Sequence, residues 1–199
     1  ILDGVVIVID ASTGIQVGTD RAMQYANHYE TPRAIFVNKL DRENTNFQEV
    51  VEQLRDAYGA QCVPIVLPIG QSESMTGVVN ILTGDASQAG AEAEDVKTTL
   101  TDAVAESDDE LLEKYLETGE LSAEDFNRGL HDGIREGKIV PIVAGSVSKN
   151  FGISELMDII ADSFPTPVER TFKGYKGEEE VAIEPDPNGH FIGQVFRSV

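Results

Sequence analysis

Basic residues are scarce in this sequence: 15 Lys and Arg stand against 35 Asp and Glu, for a formal net charge of −20. Phosphate binding needs a basic surface, so the average field of the chain excludes nucleic-acid binding as a property of the whole, and any RNA contact must come from a local patch. Cysteine occurs once, at Cys62. One cysteine excludes an internal disulfide, which fits a reducing, cytoplasmic setting. Its place in the apolar run 62–67 marks it as a small core residue rather than a reactive thiol. No apolar run approaches the roughly 18 residues of a membrane span, and no signal-peptide pattern opens the chain, so no membrane partner is expected. His28, His131 and His190 share no metal-ligand spacing, and no metal site is expected from them.

What the sequence does have is enough apolar material for a core: 41% of its 199 residues are hydrophobic. Residues 4–9 (GVVIVI), 33–37 (RAIFV), 63–67 and 139–144 (IVPIVA) are continuous apolar runs rich in β-branched residues, the pattern of strands buried on both faces of a parallel sheet. Helical stretches separate them. Residues 21–29 form one. A second follows Asn46, an N-cap with Glu49 three residues on; Phe47, Val50, Val51, Leu54 and Tyr58 fall at helical spacing and Gly59 closes it. A third carries Ile153, Leu156, Met157, Ile160 and Phe164 and stops at Pro165. Strand–helix alternation predicts a parallel sheet covered by helices.

The stretch 68–138 interrupts that pattern and is too long for a loop, so it is expected to be an inserted α+β subdomain. It contains a short strand near 78–82 and helices over 92–106, 108–116 and from Ser122, where Ser122 and Asp125 form a capping-box-like start. Residues 91–125 hold 13 Asp and Glu against two Lys, a net −11 that is more than half the total. After Pro167 the pattern turns to glycine-punctuated, strand-like segments, the expected start of a β-rich domain. The chain opens on a strand-like run and closes within another, residues 191–199, so both ends are expected to be cut from something longer.

Two segments carry chemistry. Asn38-Lys39-Leu40-Asp41 directly follows the strand at 33–37. Ligands of open parallel sheets bind beyond the carboxyl ends of the strands. A short carboxylate there can accept two hydrogen bonds from the N1–H and N2–H₂ edge of guanine, a donor pair adenine lacks. Asn38 can meet N7 and tie neighbouring loops together, and the methylene stem of Lys39 can lie along the base plane with its ammonium in water. The second segment, Gly145-Ser146-Val147-Ser148-Lys149, ends the strand at 139–144. Its backbone N–H groups can donate to guanine O6 while Ser146 braces the loop. Asp10, at the end of the first strand, reads as a loop-bracing group rather than a catalyst.

These motifs sit within a longer likeness. Residues 5–42 (VVIVIDASTGIQVGTDRAMQYANHYETPRAIFVNKLDR) resemble the elongation factor G family of translational GTPases, from the strand after its switch II to just past its guanine motif. Residues 63–70 (VPIVLPIG) resemble the approach to that family's insertion, 111–119 (LLEKYLETG) a helix within it, 142–152 (IVAGSVSKNFG) its last guanine loop, 164–167 (FPTP) its exit from the G domain, and 191–198 (FIGQVFRS) the first strand of its domain II. The resemblance implies an α/β fold: a partial P-loop GTPase-type G domain over residues 1–67 and 139–167, the inserted subdomain over 68–138, and a linker with the start of a β-barrel domain over 168–199. It implies GTP or GDP as ligand, with Asn38, Lys39, Asp41, Ser146 and Val147 as the nucleotide-binding residues, and no catalytic residue in this chain. The implied partners are the ribosome and, through the acidic insertion, its stalk protein.

Three departures qualify the likeness. Val147 stands where the family usually has alanine, placing extra methyls beside the base. Asp10, Gly18 and Thr19 follow the form of divergent, elongation-factor-G-like proteins. And the sequence has no G-x-x-x-x-G-K-S/T phosphate loop; the nearest tract, residues 133–139 (GIREGKI), lacks both spacing and hydroxyl, and the D-x-P-G-H switch II motif is missing too. Mg²⁺ is expected in the parent protein with ligands outside this chain. The reading is therefore a fragment of a ribosome-dependent GTP hydrolase that couples GTP binding and hydrolysis to a step of protein synthesis, the fragment alone being inactive. Two alternatives stand beside it: a relative acting in release or ribosomal protection, and a degenerate GTPase-fold module that docks on the ribosome without hydrolysis.

Overall fold

A computed structural model of the protein describes residues 2–90, 92–169, 172–183, 185–186, 188–189, 191 and 193. Strands β1 (Val5–Asp10), β2 (Arg33–Asn38), β3 (Cys62–Ile69), β4 (Gly77–Asn80) and β5 (Val140–Ala144) form one sheet in the order β1-β2-β5-β3-β4. The first four strands in that order are parallel, and β4 adds an antiparallel edge to β3. This is the mixed α/β architecture that the alternation of buried strands and helices predicts. β2, β3 and β5 are buried through nearly their whole length, which is why their sequences run apolar without alternation.

Helices α1 (Val17–His28), α2 (Phe47–Tyr58), α3 (Glu92–Glu106), α4 (Asp109–Thr118), α5 (Ala123–Arg135) and α6 (Ile153–Ser163) complete the unit. Their boundaries follow local chemistry. The Asn46 side chain accepts from the Gln48 N–H at the start of α2, and Gly59 ends that helix at φ 98°. Asp108 accepts from Glu110 and Leu111, and the Ser122 hydroxyl accepts the Asp125 N–H. α2 presents Phe47, Val50, Val51 and Leu54 to the core at helical spacing.

Buried side chains of the described residues in 68–138 join the core of the sheet. α3 packs on β3, and Val96, Leu100, Val104, Leu111 and Leu130 belong to the same buried cluster as the sheet. Beyond α6, Glu169 accepts from the Thr166 N–H and hydroxyl and pairs with Arg135 of α5 at 2.5 Å, so the chain leaving α6 is tied to the acidic helices. A separate antiparallel pair follows, β6 (Phe172–Lys176) and β7 (Glu179–Ile183), turning at Gly177. The strand expected at residues 191–198 lies outside the described residues, apart from Phe191 and Gly193. Cys62 is buried, and burial pushes its thiol up to about 11.

Candidate functional site

The carboxyl ends of β1, β2 and β5 lie side by side. Asp10 is in register with Asn38, and Val37 with Ala144. β5 forms only after the chain has made β3, β4 and three helices, then returns to insert between β2 and β3. That insertion brings residues 38–41 against residues 145–149, and Ser146 against Asp41 from 105 positions away.

Asn38 stitches the two loops. Its side-chain oxygen accepts the Lys39 N–H at 2.8 Å and the Val147 N–H at 3.0 Å, and its NH₂ group has no protein partner among the described residues. Lys39 holds a left-handed backbone, φ 65°, a conformation uncommon for residues other than glycine and recurrent at functional loops. Its ammonium bonds the Asp10 carboxylate. This corrects the expectation that the ammonium stands in water: the neighbouring strand end supplies an anion within reach. Asp10 also accepts the Ser12 N–H at 3.0 Å and the Ser12 hydroxyl at 2.7 Å, so it braces its own loop as expected. Lys39 first, then Ser12, pulls the Asp10 carboxyl down from 3.8 to about 2.

Asp41 is held at both oxygens. Oδ1 accepts from the Ser146 hydroxyl at 2.5 Å and Oδ2 from the Ser148 hydroxyl at 3.1 Å, while the two hydroxyl oxygens lie 3.0 Å apart. The Ser146 bond is the main cause of a lowered Asp41 pKa, with Ser148 and the charge of Lys149 adding to it. Ser146 is fully buried and its oxygen also accepts the Lys149 N–H at 3.3 Å. Thr45 supports the first loop from beneath, donating to the carbonyls of Leu40 at 2.9 Å and Arg42 at 2.7 Å.

The second loop is tightly closed. Ser146 and Phe151 exchange backbone hydrogen bonds, and Gly145 donates to the Val37 carbonyl at 2.9 Å. A Cβ at Gly145 would lie 2.2 Å from the Phe36 ring, so only glycine lets the loop cross there. The Ser146 N–H is spent on Phe151 and the Val147 N–H on Asn38. Neither is open to a ligand carbonyl, as the sequence had suggested loop N–H groups would be; the Ser148 N–H is the loop donor without a protein partner among the described residues. Val147 is 56% exposed at the mouth. The role of Ser148 was not legible in the sequence, whose only signal is a second hydroxyl two residues after Ser146.

The site thus offers an ionised carboxylate, which only accepts hydrogen bonds, beside an amide NH₂ and a backbone N–H. That set suits a planar heterocycle presenting two adjacent donors on one edge and acceptors on the other. The sequence profile described as the elongation factor Tu GTP binding domain matches residues 1–166. The chain belongs to that family. The family is one of translational GTPases, and its description names GTP as the ligand of the domain. A crystal structure of a protein from Thermus thermophilus is 26% identical, with a TM-score of 0.74 over 84% of this chain. This chain spans 27% of that protein's length. Among the described residues no helix is long and apolar enough to cross a membrane.

The chemistry of Mg²⁺ does not fit the residues present. The sequence lacks the phosphate-loop hydroxyl, and no group of three or more His, Cys, Asp or Glu is placed to hold a metal among the described residues. No step of phosphoryl transfer is assigned to this chain's side chains.

Proposed function

We propose that this chain supplies the base-recognising part of the GTP-binding domain of a ribosome-dependent translation factor resembling elongation factor G. Asn38, Lys39, Asp41, Ser146 and Val147 form the site. The observation that carries the reading is the Asp41 carboxylate, its two oxygens held by loop hydroxyls at the ends of adjacent parallel strands. In this reading Asp41 accepts from N1–H and N2–H₂ of guanine, the Asn38 NH₂ meets N7, and the Lys39 stem covers one face. Val147 flanks the base without donating to it. GTP turnover would depend on a phosphate loop and switch segments that this sequence does not contain, so the 199-residue chain is expected to be inactive by itself.

Asp41→Asn in the full-length protein tests the base assignment. It replaces one acceptor with a donor and sets two donors face to face at guanine N2. A hydrogen bond to a charged group contributes roughly 1.5–3 kcal/mol, and mispairing adds desolvation. GTP affinity should fall about a hundredfold or more at tenfold per 1.4 kcal/mol. Xanthine carries a carbonyl at C2 and should bind the variant better than guanine does. A competition titration with GTP and XTP in which the variant keeps the wild-type preference would remove Asp41 from the base site.

A further inference from the structure

Asp41 has two hydroxyl partners where one would brace the loop, and the second, Ser148, is exposed at the mouth of the site. A carboxylate offers about four lone-pair positions. The Ser146 and Ser148 hydroxyls occupy one on each oxygen and the residue's own N–H lies close, which still leaves acceptor capacity for an outside donor pair. Ser146 alone would fix one oxygen and leave the carboxylate free to swing about it. A bond to each oxygen fixes the plane of the group.

The proton count supports the arrangement. The Ser146 proton is committed to Oδ1 at 2.5 Å, so in the 3.0 Å contact between the hydroxyls Ser146 is the acceptor if it is bonded at all. The single Ser148 proton then chooses between a neutral hydroxyl and a carboxylate oxygen at 3.1 Å. The charge-assisted bond is the stronger. Ser148 is exposed and also carries the one loop N–H that no protein group uses among the described residues.

We propose that Ser148 is a positioning residue for base recognition, its hydroxyl fixing the second oxygen of Asp41 so that the carboxylate plane is set before the ligand arrives. This rests on the reading of Asp41 as the base-reading carboxylate. Pre-setting the plane removes an ordering cost from binding. It also stabilises the ionised form, together with Ser146, the residue's own backbone N–H and the charge of Lys149, while the ammonium of Lys39 is engaged by Asp10.

The test measures GTP affinity in the full-length protein for wild type, Ser148→Ala, Ser148→Thr and Asp41→Asn, each from pH 7 down to about pH 2.5, a window that spans the lowered titration of the Asp41 carboxyl. Ser148→Ala should weaken GTP binding by about three- to tenfold, the scale of one net hydrogen bond. It should also move the acid-side loss of affinity to higher pH, because the carboxylate is less stabilised. Ser148→Thr, which keeps the hydroxyl, should restore both. A purely structural role would leave the pH midpoint unmoved, and Ser148 is exposed, so truncation leaves no core cavity. If Asp41→Asn switches preference to XTP while Ser148→Ala leaves affinity and midpoint unchanged, the Ser148 proposal fails and the base assignment stands. If Asp41→Asn changes neither, the base assignment itself fails.

Discussion

The ammonium of Lys39 is bonded to the carboxylate of Asp10, which ends the neighbouring strand in register with Asn38. The pair joins the loop after β1 to the loop after β2 and holds Lys39 where its backbone is left-handed, with the Lys39 N–H on the Asn38 oxygen. The ion pair thereby restricts where the Lys39 side chain can go.

Asp10→Asn keeps the shape of the side chain and removes its charge. The folded-state pKa of Asp10 is depressed, so the stabilisation it brings is complete above the unfolded value near 3.8 and is lost as pH falls through about 2. The pair is partly exposed, so the variant should be less stable at pH 7 by under about 1 kcal/mol. That deficit should close between pH 4 and pH 2. Urea unfolding of both proteins across this window checks it; a deficit that persists at pH 2 would mean the loss is steric rather than ionic.

Much of the fold was readable because its causes are local. Asn46 and Gly59 bracket α2 by cap chemistry visible within a dozen residues, and the apolar runs of β2 and β5 announce burial on both faces. Strand order was not readable: nothing in residues 140–144 says that this strand inserts between β2 and β3. The site divides the same way. Asn38 to Asp41 stood out as four adjacent residues at a strand end. The Lys39–Asp10 pair spans 29 positions and the Ser148–Asp41 bond 107, and each depends on which strands are neighbours. The bond from the Val147 N–H to Asn38 is of the same kind, its partner lying 109 positions away.

Gly145 is where loop and core constrain each other. An added methyl would meet the Phe36 ring at 2.2 Å and the Phe151 carbonyl oxygen at 2.8 Å. Overpacking of this kind costs about 1–3 kcal/mol. Gly145→Ala should lower the melting temperature and, by pushing residues 146–148 off Asp41, weaken nucleotide binding in the full-length protein. Combining it with Phe36→Leu removes the ring atoms in the way. Residues in contact couple, so the double variant should be more stable than the sum of the two losses. Strict additivity in thermal unfolding would show that the ring is not what excludes a side chain at residue 145.

The acidic helices raise a question of partners that the nucleotide site does not answer. Some of their charge is used internally: Lys114 pairs with Glu110 at 3.2 Å and with Asp125 at 3.3 Å, and Arg128 with Asp125 at 3.3 Å. Glu106, Glu113 and Glu117 are exposed and form no ion pair among the described residues. A surplus of this sign raises the rate of encounter with a basic surface more than it raises final affinity, and salt screens it with a Debye length of about 8 Å at 0.15 M. If these helices face the ribosome or its stalk, Glu106, Glu113 and Glu117 reversed together to Lys should slow association at low salt by about tenfold, within the range set by electrostatic steering. Dissociation should change little, and the difference should shrink at high salt. Because the three side chains are exposed and unpaired among the described residues, each reversal should alter folding stability by no more than about 0.5 kcal/mol. Stopped-flow association with ribosomes at two ionic strengths, beside thermal unfolding of the same variant, separates the effects. A variant that folds normally and associates at the wild-type rate at low salt would mean that this face is merely solvated, and that docking, if it occurs, uses another surface.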